Sequence, residues 1–429
     1  MKKKVRVVGG GLAGSEASYQ LAQLGYEVEL VEMRPTKMTP AHTSEKFAEL
    51  VCSNSFRSDS LSNAVGILKA EMRLFDSLIM QMGDKHQLPA GSALAVDREG
   101  FSQAVSDVLK SHPNITVVDQ EFTEFDDKVT LVATGPLTSE TFSHYLQTFF
   151  GQDDLYFYDA VAPIVSVDKI NFDIAYKKSR YDKGDGADYI NCPMTKSEFM
   201  NFHKELLLAE QAPMREFEDV KVFEACMPIE EMASRGFKTM LFGPMKPVGL
   251  EQPDGSKPFA VVQLRQDDAA ASLYNLVGFQ TRLKWGDQKR IIQMIPGLED
   301  VEIVRYGVMH RNTYIKSPLI LNKHFQSKEH KHIFFAGQVS GVEGYVESAS
   351  SGLYAALNIH QYMQGESMES LSNQTMMGAL AQYVATANPE RFQPMNINFG
   401  IVGNRLKEKE EMAQRSLEEV ERFKQTIFK

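Results

Sequence analysis

Cysteine is scarce: Cys52, Cys192 and Cys226 are the only three in 429 residues, an odd number, widely spaced and without a C-x-x-C pair. This excludes a disulfide framework or a cysteine zinc site as an organising feature and leaves single thiols as the only cysteine chemistry to consider. The ten histidines are scattered, so no metal is expected. No apolar run approaches the roughly twenty residues that a membrane span requires, and the N-terminal Met1-Lys2-Lys3-Lys4 leads straight into a short strand; no membrane association and a cytoplasmic location are expected. Excess positive charge is lacking too. A net charge of −10 argues against a protein that coats nucleic acid nonspecifically, while leaving room for a local basic groove. No internal repeat is visible. What remains is an ordinary globular composition, 43% hydrophobic and 24% charged, in a chain long enough for two or three domains.

The most informative stretch comes almost at once. Val5 to Val8 reads as a buried parallel strand, and Gly9-Gly10-Gly11-Leu12-Ala13-Gly14 then opens an amphipathic run from Ala17 to Leu24. In this G-x-G-x-x-G arrangement the first glycine permits a tight turn, the second lets the backbone approach a pyrophosphate and the third allows helix to pack closely on strand. The helix N-terminus adds N–H donors and a partial positive charge. A second strand, Val28 to Val31, ends in Glu32, whose carboxylate can accept both hydroxyls of a ribose. An acid there suits an unphosphorylated adenosine ribose, as in FAD or NAD.

Further along, apolar positions recur at helical spacing from Leu61 to Met82, and Phe101 to Leu109 reads as another helix. Ile115–Val118 and Val129–Ala133 read as strands, the latter running into Thr134-Gly135-Pro136. An apolar strand ending in Ala-Thr-Gly is where two-dinucleotide-fold flavoproteins return the chain to the nucleotide sheet. Near the C-terminus, Ile333 to Gly337 forms a second strand–glycine loop–helix unit with Gly341, Glu343, Gly344 and a small-residue helix from Ser348 to Asn358. Such a unit closes over the isoalloxazine end of a flavin, which favours FAD over NAD as the resident cofactor. The expected fold is therefore α/β: a Rossmann-type FAD-binding domain of the two-dinucleotide-binding flavoprotein class, residues 1–164 and 330–429, with an inserted α+β domain at 165–329. The tail from Lys407 to Lys424 alternates charge and is expected to be a solvated helix.

A flavin near thiols suggests a disulfide reductase, but the cysteine pair is missing. Cys52 precedes a small-polar loop, Ser53-Asn54-Ser55-Phe56-Arg57, in which Arg57 would favour a thiolate. Cys226 precedes a helix expected to begin after Pro228. Cys192 has no such setting and is expected to be structural. Basic and aromatic residues interleave in the insertion at Arg282, Lys284 and Trp285 and again at His310 and Arg311, a pattern that suits phosphates and unpaired bases as well as a solvated face.

Longer blocks carry a resemblance. Gly11 to Ala17, Glu32-Met33-Arg34-Pro35, Phe47 to Ser55, Arg180 to Gly184, Cys226-Met227-Pro228-Ile229-Glu230, Gly243 to Leu250 and Gly341 to Ser348 closely resemble the folate- and FAD-dependent tRNA (uracil-5-)-methyltransferase family over nearly the whole chain. A looser kinship links that family to the flavoprotein that modifies wobble uridines in tRNA. Phe56, Ser92 and Val339-Ser340 stand where the family usually has Leu, Gly and Met-Thr. The resemblance implies 5-methyluridine formation in the T-loop of tRNA. It also implies 5,10-methylenetetrahydrofolate as carbon donor, FAD as the reducing cofactor and NADH or NADPH (NAD(P)H) to regenerate it. Met33 and Arg34 join the FAD residues, Tyr345 stacks near flavin and pterin, Cys226 attacks uracil C6 and Cys52 is a second active-site thiol. The inserted domain, with Arg282, Lys284, Trp285, His310 and Arg311, is then expected to face RNA and folate. Alternatives are the same chemistry on a uracil of large-subunit ribosomal RNA (23S rRNA), a flavin NAD(P)H oxidoreductase without RNA methylation, and an RNA-binding protein with a vestigial cofactor fold. The oligomeric state is left open.

Overall fold

A computed structural model describes residues 3–39, 41–151, 155–160, 162–182, 186–212, 227–307, 309–365 and 367–428, with backbone alone at 155–160, 182 and 309–311. The first hydrophobic run becomes the strand Lys4–Val8, buried over its last four residues. It is the centre of a five-stranded sheet in the order 333–335, 130–132, 4–8, 27–32, 115–119, parallel throughout. Because crossover helices cover both faces of such a sheet, its strands read as apolar runs instead of alternating ones.

Helix Leu12–Gln23 starts five residues before the expected Ala17, since the fingerprint itself forms its first turn and Gly11 its N-cap. Helix Tyr345–Gln364 packs along it. Their approach is so close that a Cβ on Gly352 would lie 2.1 Å from the Ala13 carbonyl oxygen; within the fingerprint, one on Gly14 would lie 1.8 Å from that of Gly9. The run expected to be one helix from Leu61 to Met82 is two, Ala64–Arg73 and Leu78–Lys85. The chain breaks at Asp76, with φ of 52°, and Ser77 caps the second helix. Buried Glu16 holds the break in place, accepting from Ser77 Oγ at 2.7 Å and Ile79 N at 2.9 Å. A carboxylate from elsewhere in the chain thus overrides helical periodicity.

A second, antiparallel sheet has the order 176–177, 189–194, 260–266, 273–276, 164–166, 303–305. Against it lies helix Lys196–Leu208, opened by a Thr195–Glu198 capping box. The buried side chains form two main clusters, one drawn from 5–146 and 315–423 and the other from 165–301. Ile315, Ile320, Leu321 and Phe325 belong to the first of these. Strands 155–160 and 309–314 pair antiparallel as the chain leaves and re-enters the first unit.

The tail departs from expectation. Helix Lys409–Ile427 buries Met412, Ala413, Val420 and Phe423 in the first core, with Ser416 buried on the same helix, so the alternating charges mark only its outer face. Ser416 donates to buried Glu71, which also accepts from Met376 N at 2.6 Å and Met377 N at 2.8 Å, joining three helices. Among the described residues no helix is long and apolar enough to cross a membrane, and no group of His, Cys, Asp and Glu is placed to hold a metal ion.

Candidate active site

A cleft of about 480 Å³ opens at the C-terminal ends of the parallel strands, where open α/β sheets bind ligands, and reaches across to the second sheet. Gly9, Gly11, Leu12 and Ala13 form one wall. The helix they open has no side-chain cap and no acid in its first turn, so its N–H groups are available to an anion. A Cβ on Gly11 would meet nothing within 4 Å, which leaves that side of the loop open to a ligand. Gly10 and Gly14 support the wall from behind: Gly10 N donates to Glu32 Oε2 at 2.7 Å.

Glu32, Met33 and Arg34 line the cleft at the tip of the second strand. Glu32 also accepts from Arg34, from its backbone N–H at 3.0 Å and from Nε at 3.1 Å. Burial pushes the Glu32 carboxyl up, but the Arg34 charge and these hydrogen bonds outweigh it and hold the carboxyl below its ordinary range. It therefore stays an acceptor at neutral pH. Thr134, Gly135, Gly337, Glu343, Gly344 and Tyr345 continue the lining. Gly341 does not reach the cleft; a Cβ there would lie 2.2 Å from the Phe392 ring.

Cys52 lies in the same cleft, on a segment without helix or strand. Side chains take the place of a backbone ladder there. Arg98 donates to the Leu50 carbonyl, and Arg305 to that of Val51 at 3.2 Å. The Tyr345 hydroxyl accepts from Cys52 N at 2.7 Å and Ser53 N at 3.1 Å. Arg265 donates to Ser53 Oγ at 2.7 Å and Asn54 Oδ1 at 2.9 Å. Burial, and then the neighbouring Cys52, push the Tyr345 phenol above its ordinary value, so it remains protonated. Arg57 also lines the cleft, its guanidinium paired with fully buried Glu347. One tyrosine and one ion pair thus tie the Cys52 loop to the flavin-loop helix.

Cys192 is buried in the second sheet, where burial raises its thiol well above the ordinary value. Cys226 lies outside the described residues. The helix expected after Pro228 is present as Ile229–Ser234. Arg282, Lys284 and Trp285 do not line the cleft. Arg282 N donates to Glu230 at 2.8 Å, Lys284 pairs with Glu210, and Trp285 is 63% exposed, stacked on Tyr306 at 5.2 Å. His310 and Arg311 lie on strand Met309–Tyr314, their side chains outside the described set. Sequence reasoning missed Arg98, Arg265, Asn275 and Glu347, because nothing in an isolated strand or helix marks a charged or amide side chain that will be buried.

A parallel sheet with a glycine loop at one end of the cleft and a second glycine loop at the other defines the Rossmann-type, two-dinucleotide-binding flavoprotein class. Residues 4–367 match the family described as Glucose inhibited division protein A. Relatives named methylenetetrahydrofolate--tRNA-(uracil-5-)-methyltransferase TrmFO align along their whole length. That of Bacillus velezensis is 56% identical, covering 99% of this chain and 100% of its own, and that of Staphylococcus carnosus 57%, covering 99% of each. The chain belongs to this methyltransferase family. Aquifex aeolicus GidA, in its form II crystal, shares the fold with a TM-score of 0.70 at 14% identity, over 98% of this chain and 74% of its own.

Proposed function

We propose that this protein methylates C5 of a uracil in the T-loop of tRNA, with 5,10-methylenetetrahydrofolate as carbon donor, a resident FAD as reductant and NAD(P)H as the source of electrons. The observation that carries the reading is the Cys52 loop, held by Tyr345 of the flavin-loop helix inside the same cleft as the dinucleotide cradle. The residues suit FAD: the uncapped helix start and the open side of Gly11 accept a pyrophosphate, and Glu32 offers a carboxylate at the end of the second strand. Met33, Arg34, Thr134, Gly135, Gly337, Glu343 and Gly344 would enclose the rest. Once bound, reduced flavin supplies the two electrons that take a formaldehyde-level carbon to a methyl group.

The chain's own part is to bring thiols to the base. Uracil C5 becomes nucleophilic only after addition at C6, and a thiolate adds and leaves readily. Cys226, in the family's Cys-Met-Pro-Ile-Glu block, is the C6 nucleophile, and Cys52 the second thiol. Tyr345 fixes the Cys52 loop as well as bordering the flavin. The inserted unit built on the second sheet presents RNA, and Trp285 stacked on Tyr306 offers an exposed platform for a base. Purified protein incubated with undermethylated tRNA, methylenetetrahydrofolate and NAD(P)H should yield 5-methyluridine. Cys226→Ala should keep its flavin absorbance and lose product; full activity in that variant rules out the nucleophile assignment.

A further inference from the structure

Two donors face the cleft from the second sheet, one without an anionic partner and the other without an acceptor among the described residues. Arg265 is only 8% exposed, yet among the described residues no carboxylate lies within 4.0 Å of its guanidinium. Asp267, two residues on, is taken by Arg98 at 2.9 Å. Arg265 spends Nε and Nη2 on Asn54 and Ser53, and neither bond neutralises its charge. Burial works against that charge and lowers its pKa. Directly across the strand pair is Asn275, 2% exposed, whose side-chain Nδ2 is buried with no hydrogen-bond partner among the described residues. Cross-strand partners share a face, and both residues line the cleft, as do Cys52 and Ser53.

A buried cation beside an unpaired amide donor suits a neutral group that becomes negative during reaction. We propose that Arg265 and Asn275 form an oxyanion site that binds O4 of the target uracil and holds the negative charge created when a cysteine thiolate adds to C6. The inference rests on the methylation reading. In this step a sulfur lone pair forms the S–C6 bond, the C5=C6 pair becomes C4=C5, and the C4=O4 π pair moves to O4. No oxidant or reductant takes part. When C5 later bonds to the one-carbon unit the pair returns from O4, and loss of the C5 proton expels the thiolate. Charge-assisted donors aimed at O4 therefore favour the adduct over the free base.

The test uses flavin-loaded protein, methylenetetrahydrofolate and tRNA carrying 5-fluorouracil at the target. Fluorine cannot leave C5 as a proton does, so the adduct persists as a covalent protein–RNA band. Arg265→Gln should slow band formation about 100-fold or more, the scale for losing an oxyanion donor. Asn275→Asp, which keeps the shape but replaces a donor with a negative acceptor, should slow it at least as much as Asn275→Ala. Arg265→Lys keeps the charge and should lose less than about tenfold. It should also acquire a fall in rate at alkaline pH that the wild type lacks, because lysine deprotonates there and arginine does not. Should Arg265→Gln not fold, the Asn275 pair and the Arg265→Lys pH profile carry the test. Adduct formation by Arg265→Gln at the wild-type rate overturns the proposal. So does Arg265→Lys being as slow as Arg265→Gln, since bracing of Ser53 and Asn54 would then explain both. Absence of any adduct in the wild type overturns the methylation reading itself, and the oxyanion site with it.

Discussion

Tyr345→Phe removes one oxygen and little else, which makes it a clean probe of how the Cys52 loop is held. The ring's edge-on contact with Phe56, centroids 6.2 Å apart, survives the change. What disappears is the acceptor for Cys52 N at 2.7 Å and Ser53 N at 3.1 Å. A hydrogen bond of this kind contributes about 1 kcal/mol net, and leaving a buried donor unmet costs about 1–3 kcal/mol. Because both amides border an open cleft, water can reach them, and the lower end applies: about 1–2 kcal/mol for the pair. Local opening should therefore become about 5–30 times more frequent. Hydrogen exchange read by mass spectrometry on the peptide containing Cys52 and Ser53 should accelerate by that factor, and alkylation of Cys52 by iodoacetamide should speed up with it. Protection in strand Lys4–Val8 should not change. Unaltered exchange at Cys52 and Ser53 would refute the reasoning, and would mean that Arg98, Arg265 and Arg305 hold the loop without the tyrosine.

Other consequences can be measured directly. Gly352→Ala places a Cβ 2.1 Å from a backbone oxygen that cannot turn aside, so it should destabilise the protein by about 1–3 kcal/mol, seen as a lower Tm; an unchanged Tm contradicts the helix contact. Burial raises the Glu71 carboxyl to about 7, above its value in the unfolded chain. Its contribution is therefore fully present below about pH 4.5 and is lost as pH rises towards 7, by roughly 3 kcal/mol at the usual 1.36 kcal/mol per unit. Urea unfolding of wild type minus Glu71→Gln at several pH values should trace that slope, and parallel curves would exclude it. Trp285→Ala should leave flavin content intact and weaken tRNA binding about tenfold, the lower range for loss of a stacked base; equal affinity in a filter-binding assay removes the Trp285–Tyr306 platform from the RNA surface.

Much of the nucleotide unit could be read locally. The apolar strand Lys4–Val8, the glycines at 9, 11 and 14 and the acid at 32 lie close in sequence, and each acts through backbone geometry that its neighbours dictate. The same holds for Thr134-Gly135 and for the second glycine loop at Gly337 to Gly344. Local pattern was less reliable where a distant partner intervened. Glu16 reaches Ser77 and Ile79 and divides a run whose periodicity suggested one helix. The terminal helix looks solvated from its charges, but its apolar stripe lies on the first core.

By itself the sequence determined the class of sheet and the dinucleotide cradle, because strand burial, glycine turns and a helix N-terminus are properties of short contiguous segments; Cys52 it offered as a candidate through the family resemblance. Only the tertiary structure decided what stands around that thiol. Tyr345 and Arg98, Arg265 and Arg305 come from segments far apart in the chain, and Asn275 faces Arg265 only through the register of two antiparallel strands. Whether a polar side chain is left buried without a partner depends on everything packed around it, and that is settled only when the whole chain has folded.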